Sequence, residues 1–412
     1  MTLSAEQQRM SGRIGALLGI LLLALSLRAA VVSVPPLLAQ ITPAVGFTPL
    51  TTGFLAMLAP VCFAIFGIFT PRLINTWGLG KTLFVAIGLA VLGQLLRPFA
   101  PNAWVFLALS IVTLGGYGIG NVVLPPLVKK YFPDKIATIT SGYVTLLAVG
   151  TWISPQFAVP LANAVNWEFS IAFWALLSAI VAIPWVLQLR ADRAAGRADV
   201  KVQTAATTVP MQANINPWRS RVAWGLAIYL AGNSAQTYVY FTWLPPYLQD
   251  RGIDELTAGS MLAYFAILML PVSLIIPMWV PKLKHPIVAI GFFSLFWIVG
   301  HTGLLISPQE YGWIWITFSG LAQGTFAIAL LMVNLRSRTT YGSGVLSGFS
   351  QGIGYAGAAI APMFFGIVHD ATNSWPVTFL LLAAALVVML IGAVIINPKR
   401  MIEDDAPTKA RV

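Results

Sequence analysis

The chain has 412 residues, of which 58% are hydrophobic and 9% charged, against about 25% charged in an ordinary soluble domain. A soluble protein of this length needs a charged shell that this sequence cannot supply, so the apolar residues must face lipid. One cysteine, Cys62, and three histidines, His285, His301 and His369, exclude a disulfide framework and a Cys/His metal cluster, and no cofactor or metal is expected.

A bilayer-crossing helix needs about 20 apolar residues. Twelve such stretches follow in order: 14–40, 49–71, 79–98, 102–128, 137–161, 166–189, 218–246, 255–280, 284–306, 310–335, 342–368 and 375–397. The first is preceded by Arg9 and Arg13 but runs on past Arg28 without a small-residue cleavage site, so it reads as a retained helix and not a signal peptide. The longest polar interruption, 190–217, has no helical period and reads as a cytoplasmic linker. The expected organisation is an all-α membrane protein of twelve transmembrane helices in two pseudo-symmetric six-helix halves. Residues 1–189 form the N-terminal half, 218–397 the C-terminal half and 398–412 a cytoplasmic tail.

The net charge of +11 is a matter of placement. With the N-terminus cytoplasmic, 21 of the 24 basic residues fall in inner segments, Arg97 and Arg251 fall in outer ones, and Arg28 lies within a helix. That asymmetry orients a multi-pass protein with both termini inside, here in a bacterial cytoplasmic membrane. A nucleic-acid partner would need these residues on one patch, whereas they are spread over alternate loops; the partners expected are the bilayer and a small-molecule substrate, with the chain a monomer.

The halves repeat one another at an offset near 210. Ser33-Val34-Pro35-Pro36-Leu37-Leu38-Ala39-Gln40 lies over Trp243-Leu244-Pro245-Pro246-Tyr247-Leu248-Gln249-Asp250, and Pro71-Arg72-Leu73 over Pro281-Lys282-Leu283. With a slip of four, Ser141-Gly142-Tyr143 matches Ser347-Gly348-Phe349 and Lys130 matches Arg336. Parallel duplication of six-helix halves is one architecture of secondary transporters, with a substrate site near the bilayer midplane.

Over essentially its whole length the chain resembles the major facilitator superfamily. The loop after the second helix, Gly67 to Gly78, departs from that superfamily's pattern by carrying Pro71 where an acid is expected, and leaves Arg72 as its gating candidate. Leu27-Arg28, the run from Gly120-Asn121 to Phe132-Pro133, Trp243-Leu244-Pro245-Pro246-Tyr247 and Gln351-Gly352-Ile353-Gly354-Tyr355 resemble one branch, the cyanate-permease and nitroimidazole-exporter family. The resemblance implies alternating access and a small, compact, often anionic substrate.

Arg28 is the only charge well inside a predicted helix, at an insertion cost of about 2.5–3.5 kcal/mol. No Asp or Glu lies in a helix core, so a substrate anion is what its planar guanidinium would receive; the structural alternative is a bond to helix carbonyls or an amide. Arg28 superposes on Tyr238 under the repeat. Asn233, Gln236 and Tyr240 recur at i, i+3 and i+7 on one face, expected to point at the bundle interior or a cavity. Tyr117 and Asn121 pair at i, i+4, as do Gln351 and Tyr355, and Gln323 is central in the tenth helix. In the superfamily, helices one, four, seven and ten line the cavity, which the resemblance carries to Arg28, Tyr117, Asn121, Asn233, Gln236, Tyr240 and Gln323; Gln351 is a further binding candidate. For each amide the alternative is an interhelical hydrogen bond of about 0.6 kcal/mol.

Trp243 precedes Pro245-Pro246, where two missing N–H donors should bend the helix and shape an outer gate, with packing as the alternative. The glycine runs at 115–120 and 352–357 read as close-packing faces, with hinges as the alternative. Without a central Asp, Glu or His, facilitated diffusion, anion exchange and efflux stay open. A multidrug exporter of cationic amphiphiles would meet repulsion at Arg28. An integral-membrane enzyme would need a nucleophile with its base or paired acids, and no such cluster is present; the chain is not expected to be an enzyme.

Overall fold

The computed structural model describes residues 13–194 and 215–405, and every regular element in them is helical. In chain order the α-helices are α1 (Ile14–Val32), α2 (Leu38–Val45), α3 (Pro49–Trp77), α4 (Leu79–Leu96), α5 (Ala103–Tyr131), α6 (Ile136–Ala164), α7 (Trp167–Ile180) and α8 (Ala182–Ala194). They continue as α9 (Arg221–Asp250), α10 (Glu255–Ile267), α11 (Met269–Trp279), α12 (Ile287–Ile306), α13 (Pro308–Ala322), α14 (Gly324–Leu335), α15 (Thr340–Thr372) and α16 (Trp375–Ile396). Each expected span is present, and four are jointed: α1 with α2, α7 with α8, α10 with α11, and α13 with α14. Among the described residues ten segments are long and apolar enough to cross a membrane, and Ile14–Arg28 is a shorter apolar helix. The seventh span, α9, is 30 residues long but falls outside that set, because Asn233, Ser234, Gln236 and Thr237 lower its hydropathy.

The spans begin where polar side chains cap helix N-termini. Thr48 and Thr51 form a reciprocal capping box before α3, and Asn102, Asn166 and Ser220 accept from the N–H groups of Val105, Phe169 and Ala223. At the end of α2, Gly46 takes φ 71°, the left-handed conformation that costs a glycine nothing. Apolar side chains such as Leu176, Ile183, Leu295, Leu380 and Val387 stay exposed along the rods, the surface a lipid solvent requires.

The chain divides into two compact units, residues 1–212 with 339–344, and residues 213–338 with 345–412. The expected linker, 190–217, lies largely outside the described residues. Its first part is helical instead of irregular: α8 runs on to Ala194 and buries Asp192, which accepts from Tyr131 Oη at 2.7 Å and from Gln188 Nε2 at 3.1 Å. In the first unit α1 packs on α6 and α4 on α5. A hydrophobic cluster at the end carrying the 97–103 turn includes Leu37, Phe47, Phe106 and Ile171, with Phe47 edge-on to Phe106 at 5.4 Å. At the opposite end Arg13 pairs with Asp134 at 2.7 Å. Backbone N–H bonding and Arg13 together hold the Asp134 carboxyl below its ordinary range.

In the second unit α9 packs on α16 and α12 on α13. Beyond α16 the chain folds into a short 3-10 turn, Ile402–Asp405, sewn onto this unit. Ile402 is fully buried and donates its N–H to Arg336 O at 2.9 Å. Asp405 accepts from Ser220 Oγ at 2.6 Å and pairs with Arg400 at 2.5 Å, while Glu403 accepts from Arg338 N at 2.9 Å and Asp404 pairs with the Arg338 guanidinium. The backbone N–H of Met401, with Arg338 second, holds Asp404 below the ordinary carboxylate range.

The glycine runs pack helices closely. A Cβ added at Gly116 would lie 2.5 Å from Ala86 O and 2.6 Å from Ala90 N, so α5 presses backbone to backbone on α4. Gly232 meets Ala385 O at 2.5 Å on α16 in the same way. The repeat is legible in these contacts. Gly93 is pressed on Thr113, and Gly300 on Ser319, positions 207 and 206 residues apart.

The two proline pairs diverge. Pro35 opens a 3-10 turn, Pro35–Leu37, that separates α1 from α2, whereas α9 continues as one α-helix through Pro245-Pro246. The carbonyls deprived of donors there belong to Phe241 and Thr242, whose side chains lie on the exposed side.

Candidate functional site

Arg28 lies half-buried on α1, with its guanidinium 5.9 Å from the Phe63 ring centroid on α3. Its stem is set by Gly150 on α6, where a Cβ would lie 2.5 Å from Leu25 O and 3.5 Å from Arg28 Cβ. Tyr238, its counterpart under the repeat, is also half-buried. Tyr117 and Asn121 are buried on α5. The Tyr117 hydroxyl accepts from Gln94 Nε2 at 2.7 Å and lies 3.0 Å from Ser178 Oγ, and Asn121 Nδ2 donates to Tyr117 O at 3.1 Å. These bonds join α4, α5 and α7.

Asn233, Gln236 and Tyr240 do share one face of α9, and it points into the packing of the C-terminal unit. Gln236 Nε2 donates to Leu382 O at 2.8 Å on α16. The Tyr240 hydroxyl lies 2.9 Å from Ser319 Oγ on α13, and Asn233 Oδ1 lies 2.5 Å from Thr325 Oγ1 on α14. Asn233 Nδ2 and Gln236 Oε1 are buried without a hydrogen-bond partner among the described residues. Gln323 is the joint between α13 and α14, and its Nε2 donates to Phe265 O at 2.6 Å. Gln351 is buried on α15 with Nε2 2.7 Å from Ser347 Oγ.

Of the gating candidates, Trp243 donates Nε1 to Pro362 O at 2.8 Å, Pro245 is half-buried on the continuous α9, and Arg72 is exposed, 5.7 Å from the Phe69 ring centroid. His301 is buried on α12 against the rings of Trp297 at 5.3 Å and Tyr240 at 5.6 Å.

Arg97 escaped the reading of the sequence. Its position after α4, in the turn Arg97–Phe99, assigned it to a solvated outer segment, yet its side chain is 1% exposed and lies 5.3 Å from the Phe106 ring centroid. Its Nε and Nη2 have no hydrogen-bond partner among the described residues. The available signal was the repeat register, which places it over the apolar Leu304.

A model of the major facilitator superfamily matches residues 16–354. The chain belongs to this superfamily. As a member it is an all-helical, multi-pass membrane transporter. An uncharacterised transporter, YycB, of Bacillus subtilis is 30% identical over 375 residues, 90% of either chain. The 2-nitroimidazole transporter of Escherichia coli is 29% identical over 381 residues, 92% of this chain and 94% of the relative. The solved structure of the proton:xylose symporter XylE shares the fold, with a TM-score of 0.74 over 96% of this chain and 99% of that one, at 11% identity.

Proposed function

We propose that this superfamily member is a secondary transporter for a small, compact anion, cyanate- or nitroimidazole-like, working by alternating access in the cytoplasmic membrane with both termini inside. One observation carries the reading: Arg28, a permanently charged side chain within α1, is only half-buried and stacked near Phe63. Charge at membrane depth is costly and ordinarily functional. A bound anion would neutralise it and favour the occluded state, so loaded and empty transporter would differ in energy.

The other candidates divide by their bonding. Asn233 and Gln236 keep one amide atom each in reserve and are assigned to substrate. Tyr117, Asn121, Tyr240, Gln323 and Gln351 are assigned to the support of that site, holding helices in register through the bonds described. Trp243, Pro245 and Arg72 are assigned to gating. Import of a monoanion opposes an inside-negative potential by about 2.3 kcal/mol per 100 mV, which favours exchange or export unless the substrate gradient is steep.

The test is uptake and efflux of cyanate, 2-nitroimidazole, small carboxylates and hydrophobic cations in proteoliposomes. Saturable flux of small anions that falls with Arg28→Ala supports the proposal. Unchanged flux in Arg28→Ala, or preference for large cations, sinks it. An internal pH dye reads coupling directly: proton flux locked to substrate addition would rule out uncoupled movement.

A further inference from the structure

The Arg97 guanidinium is a buried positive charge of the N-terminal unit, separate from Arg28. Arginine does not shed its proton to escape burial, and a buried charge persists only where something balances it. Among the described residues no carboxylate pairs with Arg97, and its Nε and Nη2 are orphaned. Its surroundings hold further unpaired polar groups, among them the acceptor Gln94 Oε1, buried without a partner among the described residues. Gln94, one turn earlier on α4, bonds Ser178 on α7, and α7 packs against the Arg97–Phe99 turn. Trp174, one turn from Ser178 on α7, buries its indole Nε1, also without a partner. Tyr117 is near enough to interact electrostatically with Arg97.

Packing alone does not call for a charge here. The repeat set by Gly93/Gly300 places Leu304 at the equivalent position, where it is 0% exposed. The C-terminal unit therefore closes the same layer with a leucine. The turn that carries Arg97 ends at Phe99, 80% exposed, and continues into exposed Pro101 and Asn102.

We propose that Arg97 is the core of a second anion site, holding a small, weakly hydrated monoanion of chloride size taken from the aqueous phase at this end of the molecule. Nε and Nη2 of Arg97 are the primary donors, and Trp174 Nε1 is an auxiliary one. A halide fits because Arg97 Nε, Arg97 Nη2 and Trp174 Nε1 are all donors, and a bare monoanion accepts from them without needing an acceptor in return.

Thermal unfolding of the purified full-length protein, in sodium chloride against sodium gluconate at equal ionic strength, tests this. A saturable rise in Tm with chloride is expected for the wild type, kept in Arg28→Gln, lost in Arg97→Gln and Arg97→Leu, and moved to at least tenfold higher chloride in Trp174→Phe. No rise in the wild type overturns the proposal, as does a rise retained in either Arg97 variant. Loss in Arg28→Gln with retention in Arg97→Gln would move the ion to Arg28 and overturn this site alone. If both Arg97 variants fail to fold, an unchanged chloride midpoint in Trp174→Phe overturns it.

Discussion

In the N-terminal unit the helices bury or half-bury two arginines, Arg28 and Arg97, whereas the C-terminal unit carries Tyr238 and Leu304 at the matching positions. Around Tyr240 that second unit instead assembles aromatic rings: Phe265 stacks on it at 4.9 Å, and Trp297 and His301 contact it at 5.4 and 5.6 Å. Duplication preserved the helix-to-helix approach, as Gly93 on Thr113 and Gly300 on Ser319 show, but left the chemistry free to diverge. At these positions one unit carries guanidinium groups and the other carries packed rings and interhelical side-chain bonds. The lesson is that pseudo-symmetry in such a chain belongs to backbone contacts, and function is to be sought where the side chains break it.

Four experiments press on this contrast. The largest effect is expected at Arg28: replacement by glutamine should lower anion transport about 100-fold, since hydrogen bonds to a charged group are worth about 1.5–3 kcal/mol, while Tyr238→Phe should stay within about threefold. Equal losses would erase the asymmetry. Next come the shared contacts. Gly116→Val and Gly232→Val should each destabilise by about 1–3 kcal/mol or more, because a Cβ meets backbone that cannot yield. Gly88→Val, with nothing within 4 Å of its added Cβ, should stay within about 0.5 kcal/mol. Thermal unfolding in detergent separates the three.

The third experiment compares acid sensitivity at the paired carboxylates Asp134 and Asp404. Both have folded pKa values below the ordinary carboxylate range, so the stability each contributes is present above the unfolded value of about 3.9 and is lost as pH falls through the folded value. Asp134→Asn and Asp404→Asn should each flatten the fall of Tm below about pH 4. A variant with the wild-type slope would remove its carboxylate from the account. The smallest effect is expected from Tyr240→Phe, which deletes the bond to Ser319 and should cost about 0.6 kcal/mol, with transport close to that of wild type. A large transport loss at unchanged stability would move Tyr240 from support to substrate contact.

Much of the architecture was legible because bilayer thickness imposes long apolar stretches, and loop charge and turn residues mark their ends. The twelve spans were readable on that basis, as was the close packing of the glycine runs. Joints inside spans were missed although a signal was present: Pro271 stands three residues after the break at Leu268 and Pro184 three after Val181, where a missing N–H and the ring's clash end the preceding helix. The face shared by Asn233, Gln236 and Tyr240 followed from helical periodicity, but periodicity does not say which neighbour that face meets, and here it meets α13, α14 and α16. Arg97 was misplaced for a related reason. A charge next to a proline at a helix end has the pattern of a solvated turn, and only the neighbouring Phe106 and α7, distant in sequence, cover it.

The turn at Ile402–Asp405 bears on how the molecule is handled. It fastens the end of the chain to Ser220 at the start of α9 and to the backbone of Arg336 and Arg338 after α14. A truncation at the last transmembrane residue, Ile396, would strip α9 of its Asp405 contact and leave the Arg338 N–H unbonded. Affinity tags and fluorescent reporters therefore belong after Asp405, behind a spacer, and a tail shortened into this turn should be judged first by its yield and monodispersity in detergent.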